Sequence, residues 1–229
     1  MLYSRISGEP LLPAEVFAAD ISRSVCITGH RENGVIPYEG SMEAACAGVK
    51  RFLCRCIDMA AEAGYEYFFS GLASGTDLWA AEYVIKRRID GAPVKLVGVV
   101  PYLRHADFFP ERSKRLLGII ERNADHLLIV NQDPAAVFSR TPGAQTSPSL
   151  YRDRNYFMVD HSSAVIAFLN PETRHSGTGQ TVSYAQRCGK RIVSFSCADV
   201  HRALERAGGA PAEMDLDAVY PENMFEYPF

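Results

Sequence analysis

Residues Ser70–Asp77 read SGLASGTD, between the aromatic-rich run Tyr65–Phe69 and the stretch Leu78–Arg88. Tyr65, Tyr67, Phe68 and Phe69 predict a buried strand. Leu78, Ala81, Val84 and Ile85 recur at helical spacing. A strand that turns through glycine into a helix leaves backbone N–H groups at the helix N-terminus, where the peptide dipoles favour an anion. Gly71 and Gly75 allow backbone to approach such an anion, and the Ser70, Ser74 and Thr76 hydroxyls add donors. The same residues also read as a tight strand-to-helix turn with Asp77 well placed in the first helical turn.

Outward from this stretch the chain alternates strands and helices. Arg23–Thr28 (RSVCIT) is a strand that opens into GHREN. Ser41 caps a long helix that runs to about Ala63, with Ala45, Val49, Phe52, Leu53 and Cys56 on one face. Val94–Val100 is a nearly all-apolar strand, as a strand covered on both faces should be. A helix over Phe109–Arg122, a strand over Leu127–Val130, a helix over Tyr151–His161 and a strand over Ala164–Leu169 follow. Ser176–Thr181 (SGTGQT) opens the helix Val182–Cys188, which leads to the strand Arg191–Ser196 and a short helix over His201–Ala207. This alternation predicts one three-layer α/β domain with a doubly wound, mostly parallel sheet. In such sheets ligands bind beyond the carboxyl ends of the strands, at the point where strand order reverses. Gly29–Arg31, Ser70–Asp77 and Ser176–Thr181 all fall at strand ends. The expectation is that Arg23–Thr28 and Leu127–Val130 flank the reversal, and that the last two turns open onto one cleft.

The expected boundaries are an arm over 1–22, the α/β domain over 23–198 and a tail over 199–229. A connection rich in Pro, Ser and Gly over 139–150 reads as a lid or as disordered chain. The aromatic, acidic end Pro221–Phe229 reads as docking on the domain or on a second copy of the chain. A net charge of −3 over 229 residues argues against nucleic acid held by bulk charge. The six cysteines show no metal-ligand spacing, no run is long and apolar enough to span a membrane, and no signal peptide is evident. A cytoplasmic protein is expected.

The ordered set TGHR (Thr28–Arg31), SGLASGTD, RNYFMVDHS (Arg154–Ser162) and SGTGQT resembles the SLOG superfamily. That group unites DprA/Smf, Lonely-guy and YpsA-like proteins. WAAE (Trp79–Glu82) is similar to the YpsA-like branch. The resemblance implies a Rossmann-like fold and a nucleotide or ADP-ribose-like ligand. Ser74 and Ala81 stand where DprA-type proteins usually carry Arg and His, so DNA-binding chemistry does not carry over. Lonely-guy enzymes carry a PGGxGTxxE turn whose Glu assists cleavage; here Gly177-Thr178 is followed by Gly179, Gln180 and Thr181, with no carboxylate, so that route to N-glycosidic cleavage does not carry over either.

The candidate ligand-binding residues are Gly29, His30 and Arg31; Ser70, Gly71, Ser74, Gly75, Thr76 and Asp77; Arg154 and Asn155; and Ser176, Gly177 and Thr178. A phosphate is expected on the N–H groups of Gly71–Thr76. Arg31 would clamp it, since a guanidinium forks onto phosphate, and Gly177–Thr178 would close the far side. Arg154 and Asn155 either bind the ligand or brace the loops; Asp77 either orders its turn or binds ribose hydroxyls. Trp79 and Tyr102 are candidates to stack on a base, and the alternative for each is the core. Asp160 and His161 are adjacent on a helix and do not face each other. His30, His105, His126, His161, His175 and His201 show no i,i+4 pair, so neither a metal nor a separate cofactor is expected. Three functions follow: a nucleotide-ligand binding protein, in the role of a sensor; an enzyme acting on a nucleotide or its N-glycosidic bond through Asp77, Glu82 or Asp160; and, least favoured, a single-strand nucleic-acid binder.

Overall fold

The computed structural model describes residues 1–138, 149–171, 176–220 and 222–225. Residues 139–148, most of the stretch read as a lid, lie outside these, as do His175 and the end of the aromatic tail. The strands are β1 (Leu2–Tyr3), β2 (Pro10–Pro13), β3 (Ser24–Gly29), β4 (Tyr67–Ser70), β5 (Lys95–Val100), β6 (His126–Ile129), β7 (Ala164–Phe168) and β8 (Arg191–Phe195). The helices are α1 (Met42–Glu62), α2 (Thr76–Ile89), α3 (Glu111–Asn123), α4 (Leu150–Asp160), α5 (Gly177–Arg187) and α6 (Cys197–Arg206).

One sheet runs β1-β2-β6-β5-β4-β3-β7-β8, parallel throughout except for the β1–β2 pair. This is the doubly wound, Rossmann-like α/β architecture. Successive residues of each strand feed opposite faces, because side chains alternate along a strand. Ile27, Phe68 and Ile166 join the core under α1, α2, α3 and α6. Cys26, Phe69 and Val165 join the core under α4 and α5. Phe52 of α1 stacks on Phe195 at 5.0 Å, and Phe195 on Phe168 at 5.2 Å, so α1 is fastened to the β7–β8 half. Burial of each such ring is worth about 1.5–3 kcal/mol. The Ser41 side chain caps α1 by accepting from Ala44 N at 3.1 Å.

The strands at the reversal differ from the expectation. β3 has β4 and β7 as neighbours, whereas β6 lies between β5 and β2, at the far side of the sheet from β7. Three successive right-handed crossovers carry the chain from β3 to β6 in one direction, with their helices on one face. Only the return through α4 brings it to the other side of β3. The reversal of strand order therefore lies between β3 and β7.

Two segments set apart in the sequence belong to the same body. Residues 1–22 contribute β1 and β2, and Leu12 and Pro13 pair with Leu128 and Ile129 of β6. Ser4 donates to the buried Glu121 of α3 at 2.6 Å, which fixes the segment to the domain. At the other end α6 begins at Cys197, four residues earlier than expected. Ser196 and Asp199 form a reciprocal capping box there. Met214, Leu216, Tyr220 and Phe225 are buried in the main core, so this part of the tail docks on its own domain.

Candidate functional site

The first two turns are fitted to each other. A Cβ at Gly29 would lie 2.4 Å from the Thr76 methyl, so glycine is what lets α2 start directly against the end of β3. Thr76 donates its hydroxyl to the His30 carbonyl at 2.7 Å. Gly75 has φ +96, which favours glycine, and its missing Cβ would fall 2.8 Å from Arg31 Cα and 2.7 Å from Glu32 N. The space at Gly75 is thus filled by the backbone of the first turn.

Within SGLASGTD the protein supplies many of its own partners. Leu72 N donates to Ser70 Oγ at 3.3 Å, Ala73 N to Asp77 Oδ2 at 3.4 Å and Thr76 N to the His30 carbonyl at 3.3 Å. Ser70 Oγ donates to the Asp77 carbonyl at 2.9 Å. Ser74 Oγ meets Ser113 Oγ of α3 at 2.9 Å. Three N–H groups of the expected phosphate cradle on Gly71–Thr76, those of Leu72, Ala73 and Thr76, are thus engaged within the protein, and the Asp77 carboxylate faces Ala73 N. Leu72 holds φ +54, uncommon outside glycine, and is completely buried. Its side chain fits where a Cβ on Gly98 of β5 would come within 2.8 Å.

Arg154 of α4 is the centre of the rim. It is 4 % exposed, and its guanidinium packs against the second turn: a Cβ on Gly71 would sit 1.4 Å from Nη1. Nη1 is 3.5 Å from Asp77 Oδ2, a loose contact for two buried charges. Among the described residues neither Nε nor Nη1 of Arg154 has a hydrogen-bond partner. Tyr151 places its ring 5.9 Å from the guanidinium carbon. Burial pushes the Asp77 carboxyl up, and the opposing pull of Arg154 and Arg31 only partly offsets it. Burial likewise pushes Arg154 down, against Asp77. Arg31 is exposed, and its charge bears on both members of the pair.

The remaining candidates divide between the rim and its bracing. His30 accepts the Asn170 N–H on Nε2 at 3.0 Å and stands edge-on to Phe168, with ring centroids 5.6 Å apart. Asn170 in turn donates to the Gly34 carbonyl and accepts from Cys197 N, each at 2.8 Å. His30 thereby ties the first turn to the end of β7 and the start of α6, and burial lowers its pKa. Asn155 donates to Thr181 Oγ1 at 2.8 Å, so α4 touches α2's turn through Arg154 and α5 through Asn155. Ser176 caps α5 by accepting from Gly179 N at 3.0 Å; Gly177 faces open space and Thr178 is buried. Trp79 is 6 % exposed in the core, with the Lys50 amine 5.3 Å over its ring, and Tyr102 is buried against Tyr151. Glu82 lines a cavity of ≈ 230 Å³ with Glu32, Lys50, Trp79 and Arg112 on the α1–α3 side. Among the described residues no cluster of His, Cys, Asp or Glu is arranged to hold a metal, and no helix is long and apolar enough to cross a membrane.

His105, in the loop after β5, is the residue that sequence pattern did not single out. It is buried, and among the described residues neither ring nitrogen has a well-formed hydrogen bond; the Tyr102 carbonyl bears on the ring. Burial first, then the charges of Arg154 and Arg31, push its pKa down to about 3. Its position beyond the carboxyl end of β5, the same end that carries the other turns, was the available signal.

UPF0398 proteins of Bacillus thuringiensis (strain Al Hakam) and Bacillus cereus (strain Q1) are each 27% identical over 124 residues, 54% of this chain and 62% of theirs. The matched stretch thus covers less than two thirds of those relatives. Among solved structures, DNA processing protein A from Streptococcus pneumoniae aligns with a TM-score of 0.47 and 20% identity, over 83% of this chain and 59% of that one. The YpsA family model, described as the YspA SLOG family, matches residues 25–196, from β3 to the cap of α6 and across all three strand-end turns. The chain belongs to that family.

Proposed function

We propose that the chain binds a phosphate-bearing, nucleotide-derived ligand at the rim formed by the first two turns, at the carboxyl ends of β3 and β4, and acts as a binding or sensing protein. The observation that carries this reading is Arg154: a guanidinium 4 % exposed, 3.5 Å from Asp77, with Nε and Nη1 lacking hydrogen-bond partners among the described residues. A buried charge so weakly compensated is costly, and an anion that accepts its N–H groups removes the cost. Arg31, exposed above the pair, supplies a second fork. Arg154 replaces the α2 N–H groups as anchor, and Arg31 keeps the clamping role expected of it. Gly29, Gly71 and Gly75 serve by bringing backbone and guanidinium together.

A panel of nucleoside mono- and diphosphates, ADP-ribose and inorganic phosphate tests the reading by thermal shift. A ligand at about 100 times its dissociation constant adds about 2.7 kcal/mol. At about 2–4 °C per kcal/mol for a chain of this size, the melting point should rise by roughly 5–10 °C. Arg31→Ala, on an exposed side chain, should shrink the shift without unfolding the protein. A panel with no effect on the wild-type chain overturns the reading.

Asp77 favours a second reading. A buried carboxyl with raised proton affinity beside a cationic anchor is suited to general acid catalysis on a bound nucleotide. Chromatography of overnight incubations distinguishes the two: product formation that Asp77→Asn abolishes, with binding retained, makes the protein an enzyme.

A further inference from the structure

Trp79 and Glu82 begin and end the stretch WAAE, and neither belongs to the Arg154 rim. With Leu78 they share one face of α2, at the spacing of helical neighbours. That face is the floor of the ≈ 230 Å³ cavity. Lys50 of α1 walls one side, and Arg112 and Leu116 of α3 wall the other. Glu32, just after the first turn, lines the end where α2 begins.

Four charged side chains line this space, two carboxylates and two cations. Glu32 and Arg112 face each other, with Oε1 and Nη1 4.0 Å apart. Lys50 holds its amine 5.3 Å from the centre of the Trp79 ring, a weak hold at a site open to solvent. Among the described residues Lys50 and Glu82 form no ion pair and no hydrogen bond. The cavity therefore offers one uncommitted cation and one uncommitted carboxylate over an apolar floor. A net anion entering it would meet two carboxylates, and a net cation would meet Lys50 and Arg112. A zwitterion meets neither conflict, because each of its charges has a partner of opposite sign. The volume lies below the ~300–1,000 Å³ of sites for drug-sized ligands and suits a molecule the size of an amino acid.

We propose that this cavity is a second binding site, for a free α-amino acid with an apolar side chain. Glu82 takes its ammonium, Lys50 takes its carboxylate, and Leu78, Trp79 and Leu116 receive its side chain. The site is separate from the Arg154 rim and does not rest on the phosphate reading.

Trp79 is the only tryptophan in the sequence, so its fluorescence reports on the cavity directly. The full chain is titrated with L-valine, L-leucine, L-methionine and L-phenylalanine, by fluorescence and by isothermal calorimetry. The expected result is a saturable change in Trp79 emission with at least one of them, with the same dissociation constant from both methods. The N-acetyl derivative of the strongest binder lacks the ammonium, and its decarboxylated amine lacks the carboxylate. Each should bind about tenfold more weakly, as should the amino acid to Glu82→Gln and to Lys50→Met. In Glu82→Gln the gap between the amino acid and its N-acetyl derivative should close, since the contact that acetylation removes is already gone. A structural role for Glu82 would not move that difference. Neither side chain is buried, so both variants should fold, and the two analogues carry the same test on the wild-type chain if one does not. Arg31→Ala, in the rim, should leave amino-acid affinity within about twofold of the wild type. If none of the four amino acids changes Trp79 emission, the proposal is overturned. Analogues that bind as well as the parent, or variants that bind as the wild type does, overturn it equally.

Discussion

Gly71→Ala isolates the role of Arg154. Gly71 does not have the positive φ that favours glycine, so alanine suits its backbone and in isolation would add about 0.4–1 kcal/mol of stability through the unfolded state. In the fold, however, the new Cβ would overlap Arg154 Nη1 at 1.4 Å and approach Asp77 Oδ2 at 2.7 Å. The guanidinium must leave, and Asp77 loses the cation that offsets its burial. Breaking a buried ion pair in this way costs about 3–5 kcal/mol. At about 2–4 °C per kcal/mol the melting point should drop by roughly 6–20 °C, less the small alanine gain. The control is the same substitution in an Arg154→Ala background, where no guanidinium remains to be displaced. There Gly71→Ala should be close to neutral, giving a coupling of at least 2 kcal/mol in a double-mutant cycle read by urea denaturation. If Gly71→Ala lies within 1 kcal/mol of the wild type, or the two substitutions simply add, the packing of Arg154 on the second turn does not have the energetic role assigned to it.

Three further outcomes follow from the structure. His105 has its pKa lowered from 6.5 to about 3, so the folded state binds fewer protons than the unfolded state in that interval. Its contribution is intact above pH 6.5 and is lost as pH falls toward 3, reaching about 2 kcal/mol at pH 5. His105→Gln should remove that part of the acid sensitivity in denaturation curves taken from pH 7 to 5, and an unchanged slope would contradict it. Ser196→Ala removes half of the capping box of α6 and should cost about 0.5–2 kcal/mol, measured by urea denaturation; a neutral result would mean the cap is not formed in solution. With a net charge of −3, binding to single-stranded DNA should be weak and steeply salt-dependent in an anisotropy titration, and sub-micromolar affinity at physiological salt would contradict the ranking of functions.

Legibility in the sequence followed the range of the interactions. The β4–turn–α2 unit was readable because its signals are local: aromatic residues for the strand, glycines for the turn, helical spacing after it. The placement of all three turns at strand ends was readable for the same reason. The neighbour of β3 across the crevice was not, since whether β6 or β7 lies there depends on which connection reverses direction, and no short pattern encodes that. β1 and β2 escaped notice because two- and four-residue strands, one bounded by Pro10 and Pro13, lack an alternating pattern long enough to register. α6 was placed late although Ser196-Cys197-Ala198-Asp199 carries a capping-box spacing with Asp in the role of Glu. At the site, residue types alone could not show that Asp77 and Ser70 are spent on their own turn, that Asn155 and Ser176 are spent on α5, or that Arg154 lies buried on Gly71. Those facts depend on packing between elements far apart in sequence.

The central claim is that Arg154 and Arg31 hold a phosphate over the carboxyl ends of β3 and β4. A crystal structure of the chain grown with the strongest stabiliser from the nucleotide panel tests it most directly. The account predicts a phosphate group within hydrogen-bond distance of both guanidinium groups, with Asp77 still beside Arg154. A nucleotide seated instead in the cavity lined by Glu32, Lys50, Trp79 and Glu82, with Arg154 untouched, would contradict it.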